Sequence, residues 1–103
     1  MEAYKRGKIA ENKVFEALEE LKEEGLIENF GQTFPFSKDD LWGIDFIILP
    51  KEGGIIPLQV KSSYYEKDKR KYLRRGIQYI VVWPNQDKEE VKKNLLKILR
   101  NRL

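Results

Sequence analysis

Two short apolar runs joined by one turn constrain this chain more than any other feature. GIDFIILP (43–50) precedes Lys51-Glu52-Gly53-Gly54, and IIPLQVKSS (55–63) follows it. Runs of this length, rich in β-branched residues and bounded by turn chemistry, read as two buried strands of a hairpin. Each run also carries groups that an apolar interior rejects: Asp45 in the first, Gln59 and Lys61 in the second. A charge taken out of water is unfavourable unless it is paired or bound to a metal. The hairpin therefore holds either an Asp45–Lys61 ion pair or a chemical site.

The flanking segments supply the rest of a fold. Residues 3–24 read as an amphipathic helix that closes at Gly25, and residues 27–34 as a strand interrupted by Gly31. A very polar segment, 65–75, reads as a helix up to Gly76. Gln78 to Trp83 reads as a further buried strand, ended by Pro84-Asn85. Asn85 or Asp87 can cap a last helix that runs to about Arg102, with Val91, Leu95, Ile98 and Leu99 on one face. The expected order is α-β-β-β-α-β-α, an α/β (α+β) class with a mixed sheet flanked by helices. With 103 residues, 41% of them hydrophobic, a single domain over residues 1–103 with its own core is expected.

Absent residue types narrow the chemistry sharply. The chain has no Cys and no His, which excludes disulfides, thiolate or imidazole metal sites, Cys nucleophiles and His-based triads. Catalysis is left to carboxylates, amides, Lys, Tyr or Ser, and any metal would be a hard, oxygen-seeking cation such as Mg²⁺ or Mn²⁺. No apolar run approaches the ~18–20 residues that span a bilayer, and the opening MEAYKRGKIAEN lacks the apolar stretch of a signal peptide. A soluble, cytoplasmic protein without a membrane partner is the expectation.

On the first helix, advancing about 100° per residue from Val14, the stripe contains Ala3, Gly7, Ala10, Leu18 and Leu21, and Glu11 lies about 60° away at its border. The other helix acids point further out, so Glu11 alone borders the stripe. The plain reading is a boundary carboxylate paired with a nearby Lys. A second reading groups it with Asp45, Gln59 and Lys61. Phosphodiester hydrolysis uses a divalent cation to polarise a phosphoryl oxygen and to lower the pKa of a bound water. Oxygen ligands for such a cation would be the Asp45 carboxylate, the Gln59 side-chain carbonyl and the Val60 backbone carbonyl, with Glu11 direct or through water. Lys61 would orient or deprotonate the attacking water and offset developing phosphate charge.

The pattern Glu11 … Gly43-Ile44-Asp45 … Gln59-Val60-Lys61 on this element order resembles the PD-(D/E)XK nuclease superfamily. Arg6-Gly7-Lys8-Ile9-Ala10-Glu11 resembles the opening helix of archaeal Holliday-junction resolvases. Gly-Ile-Asp followed by Gln-x-Lys is similar to Mrr-type restriction endonucleases. The resemblance covers roughly residues 5 to 83 and implies a restriction-endonuclease-like fold and a metal-dependent DNA endonuclease. It implies metal ligation by Asp45 and Gln59, a metal-linked or water-linked role for Glu11, Lys61 as the catalytic lysine, and a phosphate contact from Ser62. Gln59 stands where the family commonly has an acid, so the site carries one negative charge fewer. A weakly active or inactive nucleic-acid-binding module on the same fold is therefore an open alternative. A structural or interaction domain with a buried Asp45–Lys61 ion pair is another.

The hairpin register tests this grouping. A strict four-residue loop would set Asp45 opposite Val60 and aim it away from Gln59 and Lys61, so the grouping requires a three- or five-residue loop or a bulge.

Nucleic-acid contacts are expected from uneven charge. The net charge is only +3, yet residues 66–75 (EKDKRKYLRR) hold six basic and two acidic residues. Lys67, Lys69, Arg70, Lys71, Arg74 and Arg75 in this segment, Lys5, Arg6 and Lys8 on the first helix, and Tyr64 beside the lysine strand form the expected DNA-binding set, with RNA an open alternative. Each cluster alone also fits a solvated helix face, and the basic residues of 92–102 read as the wet side of the last helix. Trp42 reads most simply as a buried structural residue, with stacking on a base or lining an interface as alternatives, and Asp39 or Asp40 as a candidate further oxygen donor. One chain offers one centre, so cutting both strands implies a homodimer, with the last helix or Trp83–Pro84 as a candidate contact.

Overall fold

Seven elements follow one another in the computed structural model, which describes residues 2–34, 37–38 and 42–101, with side chains of the first helix from Lys5 onward. They are α1 (Glu2–Glu23), β1 (Ile27–Gln32), β2 (Phe46–Pro50), β3 (Ile56–Lys61), α2 (Glu66–Arg74), β4 (Gln78–Val81) and α3 (Lys88–Asn101). The molecule is an α+β fold in the expected α-β-β-β-α-β-α order. Asp39 and Asp40 lie outside the described residues.

The four strands form one mixed sheet in the order β1-β2-β3-β4. β1 pairs antiparallel with β2 and β2 antiparallel with β3, whereas β4 runs parallel to β3. Parallel pairing requires a crossover, and α2 provides it. Strand alternation then sorts side chains to two faces. On one face Phe46, Ile48, Ile56, Leu58, Val60, Ile80 and Val82 meet Ala10, Val14, Ala17, Leu18 and Leu21 of α1 and Val91 and Leu95 of α3. The other face is thinner, with Tyr72 of α2 packed on Ile77 and Tyr79 and flanked by Ile44 and Val81. β2 begins only at Phe46, because Gly43 takes φ +87° and turns the chain before it.

α3 starts where Asp87 Oδ1 accepts the Glu90 N–H at 2.9 Å, an N-cap bond to the third residue of the turn. Its Lys92 is not on a wet face. It is 9% exposed and donates to Glu20 Oε1 at 3.0 Å and Glu24 Oε2 at 2.9 Å, and Lys88 also pairs with Glu20. Glu20 of α1 and Glu24 just beyond its end thus clasp α1 to α3; the straight-line helical projection cannot see a partner that arrives from another helix.

This clasp sets a pH dependence. Lys88 first and Lys92 second hold the Glu20 carboxyl below its ordinary value of 4.5, and hydrogen bonds to Glu24 and then Glu20 hold the Lys92 ammonium above its ordinary 10.5. A depressed acid stabilises above its unfolded pKa and is lost as pH falls through the folded value. A raised base stabilises below its unfolded pKa and is lost as pH rises through the folded value. Full stabilisation by the clasp is expected between these limits. Urea midpoints followed from about pH 7 to about pH 4 should fall less steeply in Lys92→Met than in the parent chain. Parallel curves would exclude Lys92 as a source of acid sensitivity.

No helix among the described residues is long and apolar enough to cross a membrane.

Candidate active site

The β2–β3 turn sets what can meet across the hairpin. Gly53 and Gly54 both take positive φ, and Gly53 N–H closes a turn on the Pro50 carbonyl at 3.1 Å. Phe46 pairs with Leu58, Ile47 with Pro57 and Ile48 with Ile56, so the register is even and position 45 falls across from Gln59. Beyond Phe46 the ladder changes character. Asp45 N–H donates to the Leu58 carbonyl at 2.8 Å, and the Val60 N–H leaves the backbone ladder for Asp45 Oδ2, also at 2.8 Å. The carboxylate is thereby fixed at the mouth of the β2–β3 pair by a charge-assisted bond.

Gln59 is 7% exposed, and among the described residues its Oε1 is buried with no hydrogen-bond partner. Its Nε2 reaches the Val60 carbonyl only at 3.4 Å. A buried amide oxygen without a partner forfeits roughly 1–3 kcal/mol of hydration, which a bound donor or cation would restore. An oxygen-seeking cation is one such ligand. The donor set fits it in kind: one carboxylate, one orphaned amide oxygen and one backbone carbonyl. No three acidic side chains converge among the described residues, and the expected set contains only two.

Lys61 ends β3 opposite Val81, half-buried, with Nζ 5.8 Å from the centre of the Tyr72 ring. Lys71 approaches the same ring at 5.1 Å, and Tyr72 stacks on Tyr79 with centroids 6.0 Å apart. Burial, its largest cause, pushes the Tyr79 hydroxyl above its ordinary value, so that ring stays neutral. Tyr72 is the residue that reading along the chain undervalued. Apart from Leu73 beside it, α2 is made of charged residues, and two adjacent apolar positions give no periodicity to read. Yet Tyr72 is the α2 anchor and the floor under Lys61. The Gly43 backbone fits against its ring edge, where any Cβ would overlap Tyr72 Cε1. Gly-Ile-Asp therefore carries its glycine for packing as well as for positive φ.

Glu11 is half-buried at the same end of the sheet but on the α1 side, where Oε1 accepts Gln32 Nε2 at 3.3 Å. Its partner is an amide rather than a lysine. Gln32 ends β1 opposite Phe46, and the next residue, Thr33, donates its N–H to the Asp45 carbonyl at 3.0 Å and its hydroxyl to the Ile44 carbonyl at 2.7 Å. Glu11 is thus connected to the Asp45 segment through β1, whereas Asp45 bonds Val60 directly and falls across from Gln59.

The basic residues divide likewise. Lys5, Arg6 and Lys8 are exposed on α1, and Arg6 shares a small pocket with Ser62, Ile9, Val82 and Trp83. Lys67, Arg70, Lys71, Arg74 and Arg75 are exposed along α2 and Lys69 is half-buried. Arg70 reaches Glu66 at 4.0 Å, Lys69 lies over Tyr64, and Arg75 lies over Trp42 at 5.3 Å from the ring centre. Trp42 is 59% exposed, not buried. Its neighbour Gly43 occupies the space against Tyr72, which leaves the indole outside. No family model, curated protein or solved structure matches this chain.

Proposed function

We propose that this chain is a metal-dependent nuclease of the PD-(D/E)XK type that hydrolyses DNA phosphodiester bonds, working as a homodimer where both strands are cut. The single observation that carries it is the buried, partnerless Gln59 Oε1 beside the Asp45 carboxylate, in an even hairpin register that ends at Lys61. Asp45, Gln59 Oε1 and the Val60 carbonyl would hold Mg²⁺ or Mn²⁺, with Glu11 contributing directly or through water. Such a cation supplies Lewis acidity and an activated water when bound.

The remaining chemistry belongs to the side chains. The Val60 N–H holds the Asp45 carboxylate in one orientation, so no rotamer search is needed when the site fills. Lys61, held at the end of β3 over the Tyr72 ring, donates to a phosphate oxygen or to the attacking water and offsets the charge that develops on the phosphoryl group. Ser62, the next residue, faces Arg6 across a shared pocket, an arrangement suited to a neighbouring phosphate. The exposed cations of α1 and α2 add affinity that is independent of sequence and weakens as salt rises.

Cleavage of junction, flap, duplex and single-stranded DNA with Mg²⁺ or Mn²⁺ tests the proposal; no cleavage of any substrate, with DNA binding retained, would establish the non-catalytic module that the neutral Gln59 also fits. Gln59 leads to a sharper expectation. Gln59→Glu adds a second carboxylate beside Asp45, and the Mg²⁺ concentration for half-maximal cleavage should fall roughly tenfold, since ligand charge sets affinity at oxygen sites. The metal-free variant should be less stable than the parent, because a buried carboxylate replaces an amide. An unchanged Mg²⁺ requirement would remove Gln59 from the ligand set.

A further inference from the structure

The aromatic residues around α2 are placed for a task that the proposed chemistry does not use. Trp42 is 59% exposed, Tyr64 45% and Tyr65 62%, in a segment otherwise dense in cations. Two of these rings are held rather than loose. Arg75 lies over Trp42, 5.3 Å from its centre, and also donates to the Trp42 carbonyl at 3.4 Å. Tyr64 gives its hydroxyl to Glu66 and carries Lys69 at 5.8 Å from its ring centre. The hydrogen bond from Tyr64 to Glu66 also raises the Tyr64 pKa, which keeps the phenol neutral.

Their position along the chain matters as much as their exposure. Trp42 lies three residues before Asp45, and Tyr64 three residues after Lys61. Along the chain Trp42 therefore borders the Asp45 segment and Tyr64 borders the Lys61 segment. A paired base hides its face inside the duplex and offers only its edges. An aromatic ring can stack only on a base whose face is free, and rings interleaved with cations are the usual platform for unpaired strands.

We propose that the α2 face, with Trp42 and Tyr64 as its stacking rings, binds unpaired nucleotides next to the scissile phosphate. This deepens the nuclease reading and rests on it for the identity of the bound strand: the substrate class becomes single-stranded DNA, or the unpaired part of a flap or branch. An acidic protein surface would use the same cations but has no need of exposed ring faces.

The test uses the full chain in EDTA, where cutting cannot occur, with labelled oligo(dT) of about 12 nucleotides, a duplex of equal length and poly-glutamate as competitor. Oligo(dT) should bind at least about tenfold more tightly than duplex, because stacking contributes roughly 1–3 kcal/mol per base. Trp42→Ala should weaken oligo(dT) binding about tenfold and duplex binding less than about twofold, while Trp42→Phe, which keeps a stacking ring, should remain near the parent. Equal affinity for the two DNA forms, equal losses on both in Trp42→Ala, or displacement of oligo(dT) by poly-glutamate at matched charge would each overturn the platform. Cleavage by the parent chain is read separately with Mn²⁺. Cutting without a Trp42-dependent single-strand preference rejects the platform alone. A Trp42-dependent preference without cutting keeps the platform and rejects the nuclease. Absence of all DNA binding rejects both.

Discussion

On the nuclease proposal, Lys61→Ala and Asp45→Asn are each expected to lower Mg²⁺-dependent DNA cleavage by about 10²- to 10⁴-fold, the range that follows from removing a positioned proton-transfer or charge-stabilising group. The two substitutions are informative because neither should unfold the chain. In Asp45→Asn the new side-chain amide oxygen can still accept the Val60 N–H that Asp45 accepts at 2.8 Å, so the mouth of the β2–β3 pair keeps its geometry while the charge is lost. Lys61 ends its strand half-buried, and truncation removes its ammonium from above Tyr72 without opening the α1-side core. Measured cleavage rates together with melting temperatures near the parent's would separate chemistry from folding. Cleavage that survives both changes refutes the assignment of the site.

Gly43→Ala produces the largest loss of stability expected of a single methyl group in this chain, about 2–4 kcal/mol, against a total of roughly 5–15 kcal/mol for a small domain. Two costs add. The backbone at 43 takes φ +87°, where a side chain is strained, and the new methyl would overlap the Tyr72 ring. That ring cannot step aside cheaply, since it is 8% exposed and stacked on Tyr79. Gly31→Ala is the control, because nothing lies within 4 Å of a Cβ there. It should be neutral or slightly stabilising through the unfolded state, within about 0.5 kcal/mol. Urea unfolding of the two variants side by side decides the matter; equal midpoints would mean that the Tyr72 ring yields to the added methyl group.

Element order was legible because it is written in local patterns. GIDFIILP and IIPLQV declare strands by unbroken apolar content, and the Val91, Leu95, Ile98, Leu99 spacing declares a helix face. Helix burial followed the stripe as well: Ala10, Val14, Leu18 and Leu21 of α1 are at most 2% exposed. Less legible were the contacts that arrive from far along the chain. Lys92 reads as a wet-face cation until α1 brings Glu20 and Glu24 to it, and Trp42 reads as a core residue until Gly43 is seen to occupy the space beside Tyr72.

The candidate site divides along the same line. Sequence alone determined which groups were out of place: a carboxylate, an amide and an ammonium inside apolar strands, in a chain whose lack of His and Cys leaves oxygen and amine chemistry only. Only the tertiary structure decided which of them meet. A one-residue slip in a hairpin reverses every side chain, and the even register here is a property of the Gly53-Gly54 turn, not of either strand. The orphaned Gln59 oxygen, the Tyr72 floor under Lys61 and the link from Glu11 through Gln32 come from the same source. Side-chain periodicity is a local consequence of backbone geometry, whereas partnership depends on how turns and crossovers align distant segments.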